Sequence, residues 1–219
     1  MDTFASLPAI ALRHWRFSLD CDTRSAVLPD GCRDLIVVHA PGSPPHWFVS
    51  PLADGTLQVP GRAGQRFAGL RFHPAVSIDE AALLDAARRL DADDPLELGA
   101  RIEEHVQVDH RLAEALQVLA SSAGVAPASR ALGVSERSLE RLLLQATART
   151  PRYWKNLARA RRAAAALAGN LPLAEIAAEH GYADQAHLSR DFRRWFGCPP
   201  ARFRADPALL TMAAEPGYA

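Results

Sequence analysis

The last hundred residues carry one short pattern twice, and that duplication restricts the fold more than any other feature of the chain. In the first copy, residues 125–132 suit a helix, Gly133-Val134-Ser135 a turn, and residues 136–146 a second helix. Glycine at 133 ends the first helix where a left-handed backbone is needed. Val134 is read as the apolar plug between the two helices, and Ser135 as the cap of the second. Leu139, Leu142, Leu143 and Ala146 recur at i, i+3, i+4 and i+7 and make the inward face. Glu136, Arg137, Glu140 and Arg141 make the opposite one. In the second copy, residues 173–180 form the short helix, with Leu173, Ile176 and Ala177 inside. Gly181-Tyr182 form the turn, with Tyr182 as plug, and Asp184 caps a helix running to Phe196. Leu188, Phe192 and Phe196 point inward. Gln185, Ala186, His187, Ser189 and Arg190 point outward, with Arg193 and Arg194 a turn later.

Between the copies Thr150-Pro151 opens a helix that reaches residue 168, proline suiting its first turn. At ~1.5 Å per residue it can hold two heads ~30 Å apart. That is close to one turn of B-DNA, so both second helices could enter successive major grooves on one side of a duplex. Gln and Arg are the side chains that pair bidentately with adenine and guanine edges. The charge distribution agrees. Twenty-five basic and twenty-five acidic residues cancel overall, yet residues 1–110 carry ten against sixteen (−6) and residues 111–219 fifteen against nine (+6). An acidic module joined to a basic one suggests that the basic one faces a polyanion.

Two stretches, ALGVSERSLERLLLQATARTPRYW and LAEIAAEHGYADQAHLSRDFRRWFGCPPARFR, resemble the DNA-binding domain of the AraC/XylS family over residues ~110–206. The second holds the pattern I-A-x-x-x-G-Y-x-D-x-x-x-x-S-R-x-F-R-R-x-x-G-x-x-P-x-x-x-R over residues 176–204. Departures are small: Cys198 stands where the family often has a small polar or β-branched residue. Ala148-Arg149-Thr150-Pro151 lacks the usual glycine after the first recognition helix. The resemblance implies a sequence-specific transcription regulator, most often an activator, with double-stranded DNA and RNA polymerase as partners. Carried over by position, it implies base readers at Arg137, Glu140 and Arg141 in the first unit. In the second they are Gln185, Ala186, His187, Ser189 and Arg190. It implies phosphate contacts from Lys155, Arg193 and Arg194. Glu140 has a second reading, orienting Arg137 or Arg141 through a salt bridge.

The front of the chain has a different texture. Leu28-Pro29-Asp30-Gly31 is a turn signal, and Leu35-Ile36-Val37-Val38 reads as a buried strand. His46-Trp47-Phe48-Val49 resumes an extended run, Asp54-Gly55 reads as a hairpin turn, and residues 67–73 form a further strand ending at Pro74. Five to seven strands are expected. From Ser77 a helix is expected, with Asp79 and Glu80 in its first turn, and another over residues 97–106. The fold class is α+β multidomain: a small β-rich domain followed by an all-α domain with two helix-turn-helix units joined by a long helix. The boundaries expected are 1–76 for the β-rich sensor or dimerisation domain, 77–109 for a helical linker, 110–206 for the reader and 207–219 for a tail. VLPDGCRDLIV, with PLADG and FAGLRFHP after it, resembles the short β domain preceding AraC-type readers in some regulators. By that analogy it senses a small-molecule effector or supports dimerisation, which leaves monomer and homodimer both open.

Other classes find less support. No run reaches the ~18 apolar residues of a membrane helix, and residues 1–15 have no basic n-region with a long apolar core, so a cytoplasmic protein is expected. Cys21, Cys32 and Cys198 are too scattered for a disulfide framework or a thiolate zinc site. Cys32, His39 and His46 are spaced by seven, which in a strand alternates faces, and with His73 they are read as packing or surface residues, not as metal ligands. Cys32 beside Arg33 could be a redox-sensing thiol, and is more simply a packed one; Asp30, Arg33 and Asp34 read as a polar pocket or an exposed turn. No nucleotide loop, nucleophile elbow or zincin motif is present, so no enzyme, cofactor or catalytic residue is expected. The alternative reading is a DNA-repair or protein-interaction module reusing the same fold. An alkyl-transfer repair protein would need four clustered cysteines in front, where this chain has two.

Overall fold

The computed structural model of the chain describes residues 9–89 and 101–219. It divides into two compact units, and not by a single cut. The first takes the described residues up to Ala26, Cys32–Leu52, and those of Gln58–His110; the second takes Val27–Gly31, Ala53–Leu57 and Arg111–Ala219. The stretch expected as a linker, 77–109, therefore falls in the first unit, and the expected tail, 207–219, in the second.

Seven strands span residues 11–78: β1 (Ala11–Ser18), β2 (Thr23–Val27), β3 (Asp34–His39), β4 (His46–Val49), β5 (Leu57–Gly61), β6 (Arg66–Phe72) and β7 (Val76–Ile78). An antiparallel sheet has the order β1-β6-β3-β4. The apolar run of β3 sits at its centre, as a strand covered on both faces should. Leu35 lies opposite Leu70 and Val49, and Val37 opposite Ala68 and Trp47, so one face is a continuous apolar layer. That layer joins Phe72, Val76 and Ile102, and helix α1 (Glu80–Ala87) contributes Leu83 and Ala87 to the same core. On the other face the buried Asp34 carboxylate accepts from Arg71 Nε at 3.2 Å and from Trp15 Nε1 at 3.0 Å. A carboxylate inside a protein needs such partners to offset its lost hydration. Trp15 lies flat over Gly69, where a Cβ would be 2.3 Å from the indole, so only glycine fits there.

Three expectations are corrected. Asp54-Gly55 is no hairpin turn, because β4 pairs with β3 and β5 pairs with β2. The intervening residues Ala53–Leu57 belong to the second unit, where Thr56 N donates to Trp195 O at 2.8 Å. Ser77 does not start α1; it belongs to β7, opposite Gln107, and Asp79 is the cap, accepting from Ala82 N at 3.1 Å. The helix expected over 97–106 lies outside the described residues up to residue 100; Arg101 and Ile102 are helical, but its expected end, Val106, opens strand β8 (Val106–Val108) paired with β7.

Among the described residues of the second unit, helices α2 (His110–Ser121), α3 (Val125–Ala131), α4 (Glu136–Thr147), α5 (Pro151–Ala166), α6 (Leu173–Glu179), α7 (Gln185–Phe196), α8 (Pro200–Arg204) and α9 (Pro207–Ala213) follow one another. The hub is α5, which packs with α3, α4, α6, α7 and α9. Its sequence explains that place. Tyr153, Trp154 and Leu157 supply bulk, while Ala158, Ala160, Ala163 and Ala164 are buried and small enough to let neighbouring helices approach on several sides. Sixteen residues make it about 24 Å long. Phe192, Phe196 and Phe203 close the other end of the core, with ring centroids 4.9–5.7 Å apart.

No helix among the described residues is long and apolar enough to cross a membrane.

Candidate nucleic-acid interface

The first helix pair forms as its residues dictate. Helix α3 stops at Leu132; Gly133 follows at φ +66°, and Val134 N returns to Ser129 O at 3.0 Å. Ser135 caps α4, its hydroxyl accepting from Ser138 N at 3.1 Å. Ala128, Leu139 and Leu143 are buried, and Leu142 is half-buried. Two of the expected inward residues are not. Val134 is 42% exposed, because a valine side chain is too short to bridge the pair, and it plugs nothing. Ala146 is exposed, and the last turn of α4 is held beside it by Thr147, whose hydroxyl donates to Leu143 O at 2.7 Å and accepts from Trp154 Nε1 at 3.1 Å.

The turn after α4 does keep the left-handed conformation without the glycine that the resemblance leads one to expect: Ala148 has φ 53° and ψ 23°. A Cβ in that region costs roughly 1–2 kcal/mol, partly offset by the backbone entropy that glycine loses on folding. Ala148→Gly is therefore expected to stabilise the chain by about 1 kcal/mol, read as a higher denaturation midpoint at unchanged slope. A lower midpoint would mean that the turn carries no strain.

The second pair is built more tightly. Gly181 adopts φ +71°, and Asp184 caps α7 by accepting from His187 N at 2.6 Å. Tyr182 is the plug expected, 5% exposed. Its hydroxyl donates to Asp191 at 3.1 Å, and the Arg159 guanidinium of α5 lies 4.3 Å from its ring and 3.0 Å from the Asp191 carboxylate. Burial, with the Asp191 charge added, pushes the Tyr182 phenol far above its usual range, so it stays a donor. Asp191, Arg159 and Trp195 are not among the residues that the sequence reading picks out for this pair. The signal was there, since Leu188, Asp191, Phe192, Trp195 and Phe196 complete an i, i+3, i+4, i+7, i+8 stripe.

The outward residues fall into three groups. Arg137, Glu140 and Arg141 on α4 are exposed, as are Gln185, Ala186, Arg190 and Arg193 on α7. Among the described residues the charged and amide side chains of that set make no ion pair or hydrogen bond, so Glu140 does not brace either arginine. His187 and Ser189 are half-buried; the His187 ring meets Tyr182 edge-on at 5.2 Å and its Nδ1 accepts from Ala183 N at 3.3 Å. Arg194 is exposed and lies 5.4 Å from the Trp195 ring, near enough for a cation–π contact. Lys155 stands apart. Its ammonium donates to the carbonyl of Ser122, just past α2, while Arg162 donates to Ala120 O at 2.7 Å. These two cations satisfy carbonyls that a helix end leaves open. Burial, then Arg162 and Arg159, lower the Lys155 pKa from its ordinary value.

In the first unit Cys32 is buried, and His73 Nδ1 accepts from Ala75 N at 3.1 Å, burial lowering its pKa. Arg33 pairs with Glu80, and Asp34 is taken up by Arg71 and Trp15, so these two do not line an open pocket. No group of three or more His, Cys, Asp or Glu among the described residues is placed to hold a metal ion.

Residues 128–206 match a family model described as a helix-turn-helix domain. No curated protein matches the chain. Among solved structures, it is similar to the C-terminal domain of AraT, a response regulator from Geobacillus stearothermophilus. The identity is 25%, covering 44% of this chain and 85% of that one, with a TM-score of 0.41. A transcriptional regulator from Chromobacterium violaceum, described among AraC-type DNA-binding domain-containing proteins, is 24% identical over 48% of this chain and 93% of its own, with a TM-score of 0.40. ToxT from Vibrio cholerae O395, bound to (E)-4-(8-methylnaphthalen-1-yl)but-3-enoic acid, is 10% identical over 92% of this chain and 98% of its own, with a TM-score of 0.49.

Proposed function

We propose, from the premise that residues 128–206 form a helix-turn-helix domain of the AraC type, that the chain is a sequence-specific regulator of transcription. In this reading it lays α4 and α7 in successive major grooves of one duplex. The observation that carries it is the state of the outward faces. Each second helix is capped, buried along one stripe and anchored to α5, and presents exposed Arg137, Glu140 and Arg141, or Gln185 and Arg190, with no partner among the described residues. Side chains kept free on a rigid support suit base edges: arginine to guanine, glutamine to adenine, glutamate to cytosine N4. Ala186 adds apolar contact for a thymine methyl, and Ser189 and His187 sit at the margin of the same face. Arg193 and Arg194 take phosphates, and Lys155 takes one after leaving the Ser122 carbonyl. The chain acts as an activator, with RNA polymerase as its protein partner and an effector sensed by the β-rich unit.

Selection of bound sites from random duplex DNA tests this reading. The expected result is a motif of two boxes with centres about 10 bp apart; absence of any enriched site overturns it. On the selected duplex Arg190→Ala is expected to cost ~1–3 kcal/mol and to relax preference at one base pair. The phosphate candidates, replaced one at a time, should each lower the salt slope by about one and weaken all sequences alike. A uniform loss from Arg190→Ala would move it into that second group.

A further inference from the structure

Five residues far from the reader in sequence take part in its fold. Ala53–Leu57, the chain between β4 and β5, belongs to the same compact unit as the reader helices. The Thr56 backbone N–H and hydroxyl both donate to the Trp195 carbonyl, at 2.8 and 3.1 Å. That carbonyl is one of the last four of α7, which a helix leaves without internal partners. Gly197 N takes the Arg193 carbonyl in the usual way, so Thr56 supplies the second half of the α7 carboxyl cap from a distant stretch of chain. Gly55 lies under the next carbonyl: a Cβ there would be 3.0 Å from Arg194 O.

The other end of the segment holds a different element. Asp54 accepts from Arg149 Nη2 at 3.0 Å, and the Ala53 carbonyl accepts from the Tyr153 hydroxyl at 2.8 Å. Arg149 and Tyr153 flank Thr150, the cap of α5, immediately after the left-handed turn that ends α4. The Arg149 guanidinium also lies 5.4 Å from the centre of the Tyr153 ring. Burial, with the nearby Asp54 charge adding, raises the Tyr153 phenol to about 12, so it remains a donor at that carbonyl. Within five residues the segment therefore grips the end of the second recognition helix and the joint where the first gives way to α5.

We infer that Ala53–Leu57 is a strap that fixes the distance and angle between the two recognition helices, and that Asp54 and Thr56 are positioning residues for the spacing of the two DNA boxes. The inference rests on the two-groove reading above. Shifting one box by a base pair moves it by about 3.4 Å and turns it by about 34° around the duplex axis. A reader strapped at both ends cannot follow that displacement, whereas one held through α5 alone can bend toward it.

The test measures affinity of the full chain for the selected duplex with zero, one or two base pairs added to or removed from between the boxes. Duplexes keeping only one box are measured alongside. For the unaltered chain, one added or removed pair should weaken binding by about tenfold, the scale of a lost base contact. Asp54→Ala with Thr56→Pro removes the carboxylate and the N–H donor and should reduce that penalty to below about threefold, with single-box affinities unchanged. Asp54→Asn with Thr56→Val keeps shape and backbone, should give a smaller flattening, and decides the matter if the first pair fails to fold. Spacing profiles parallel to the unaltered chain's, even with lower overall affinity or melting temperature, overturn the strap. A flat profile in the unaltered chain overturns it too. An unaltered chain that selects no DNA site at all instead removes the DNA-binding reading itself, which a strap failure leaves intact.

Discussion

Trp154→Ala is expected to destabilise the carboxyl-terminal unit by about 3–5 kcal/mol, the range for deleting a fully buried aromatic side chain. Trp154 is fully buried on α5, the helix against which α3, α4, α6, α7 and α9 pack. Its ring meets Tyr153 and Tyr218 edge-on at 5.4 and 4.9 Å, and its indole N–H donates to the Thr147 hydroxyl that closes α4. The deletion opens a cavity where four pieces of chain converge, and it leaves the last turn of α4 without its anchor. Against a total of roughly 5–15 kcal/mol for an ordinary domain, the loss is a large fraction. Denaturant unfolding of the full chain measures it. Trp154→Phe should cost clearly less, because most of the volume stays. A loss under about 1 kcal/mol for alanine would mean that the site collapses without consequence, and would remove α5 from its role as hub.

Asp191→Ala carries the second large effect, and its cause is electrostatic. The carboxylate is buried and holds both the Tyr182 hydroxyl and the Arg159 guanidinium. Alanine leaves a phenol and a largely covered cation without a partner, the situation that costs about 3–5 kcal/mol when one half of a buried pair is removed. Arg159 Nε is already buried without a hydrogen-bond acceptor, so little slack remains to rehouse the group. Asp191→Asn should cost less, its amide oxygen still accepting from Tyr182. Asp191→Leu combined with Arg159→Met should recover much of the loss of either single change, since no charge is then stranded. The denaturation midpoints of the unaltered chain, Asp191→Leu, Arg159→Met and the double variant decide it: strictly additive losses would show that the pair does not act as a pair.

These two positions also mark where reading the sequence succeeds and where it stops. Elements whose cause is local are legible: Gly133 and Gly181 at left-handed turns, Ser135 and Asp184 at helix starts, Thr150-Pro151 at the head of α5, the apolar run of β3. Each depends on the residue's own backbone preference or on neighbours within a turn. Asp191 needs one step more, because helical period places it inward while its charge argues for water; only the partners from Tyr182 and Arg159 resolve the conflict. Val134 fails for a matter of reach, since the same slot in the second pair is filled by a tyrosine about twice its length. Lys155 was legible as a cation on a basic helix, but its tie to the Ser122 carbonyl depends on how α2 docks, which no local pattern encodes. Asp54-Gly55 is the plainest case. Two turn-forming residues between extended runs suggest a hairpin, and the strands on either side pair elsewhere.

The second unit is not contiguous in the chain. A fragment starting at Arg111 carries the whole of the matched family segment and still lacks the two five-residue pieces Val27–Gly31 and Ala53–Leu57. The first of these receives Tyr218 N at the Asp30 carbonyl, 2.8 Å away, and seats Gly31 where any Cβ would sit 2.7 Å from Tyr218 Cβ. A single crossover that joined these helices to a foreign front half would deliver them incomplete, missing part of one helix end and the seat for the terminal tyrosine. Any exchange of the chain ahead of Arg111 removes both five-residue pieces from the second unit at once.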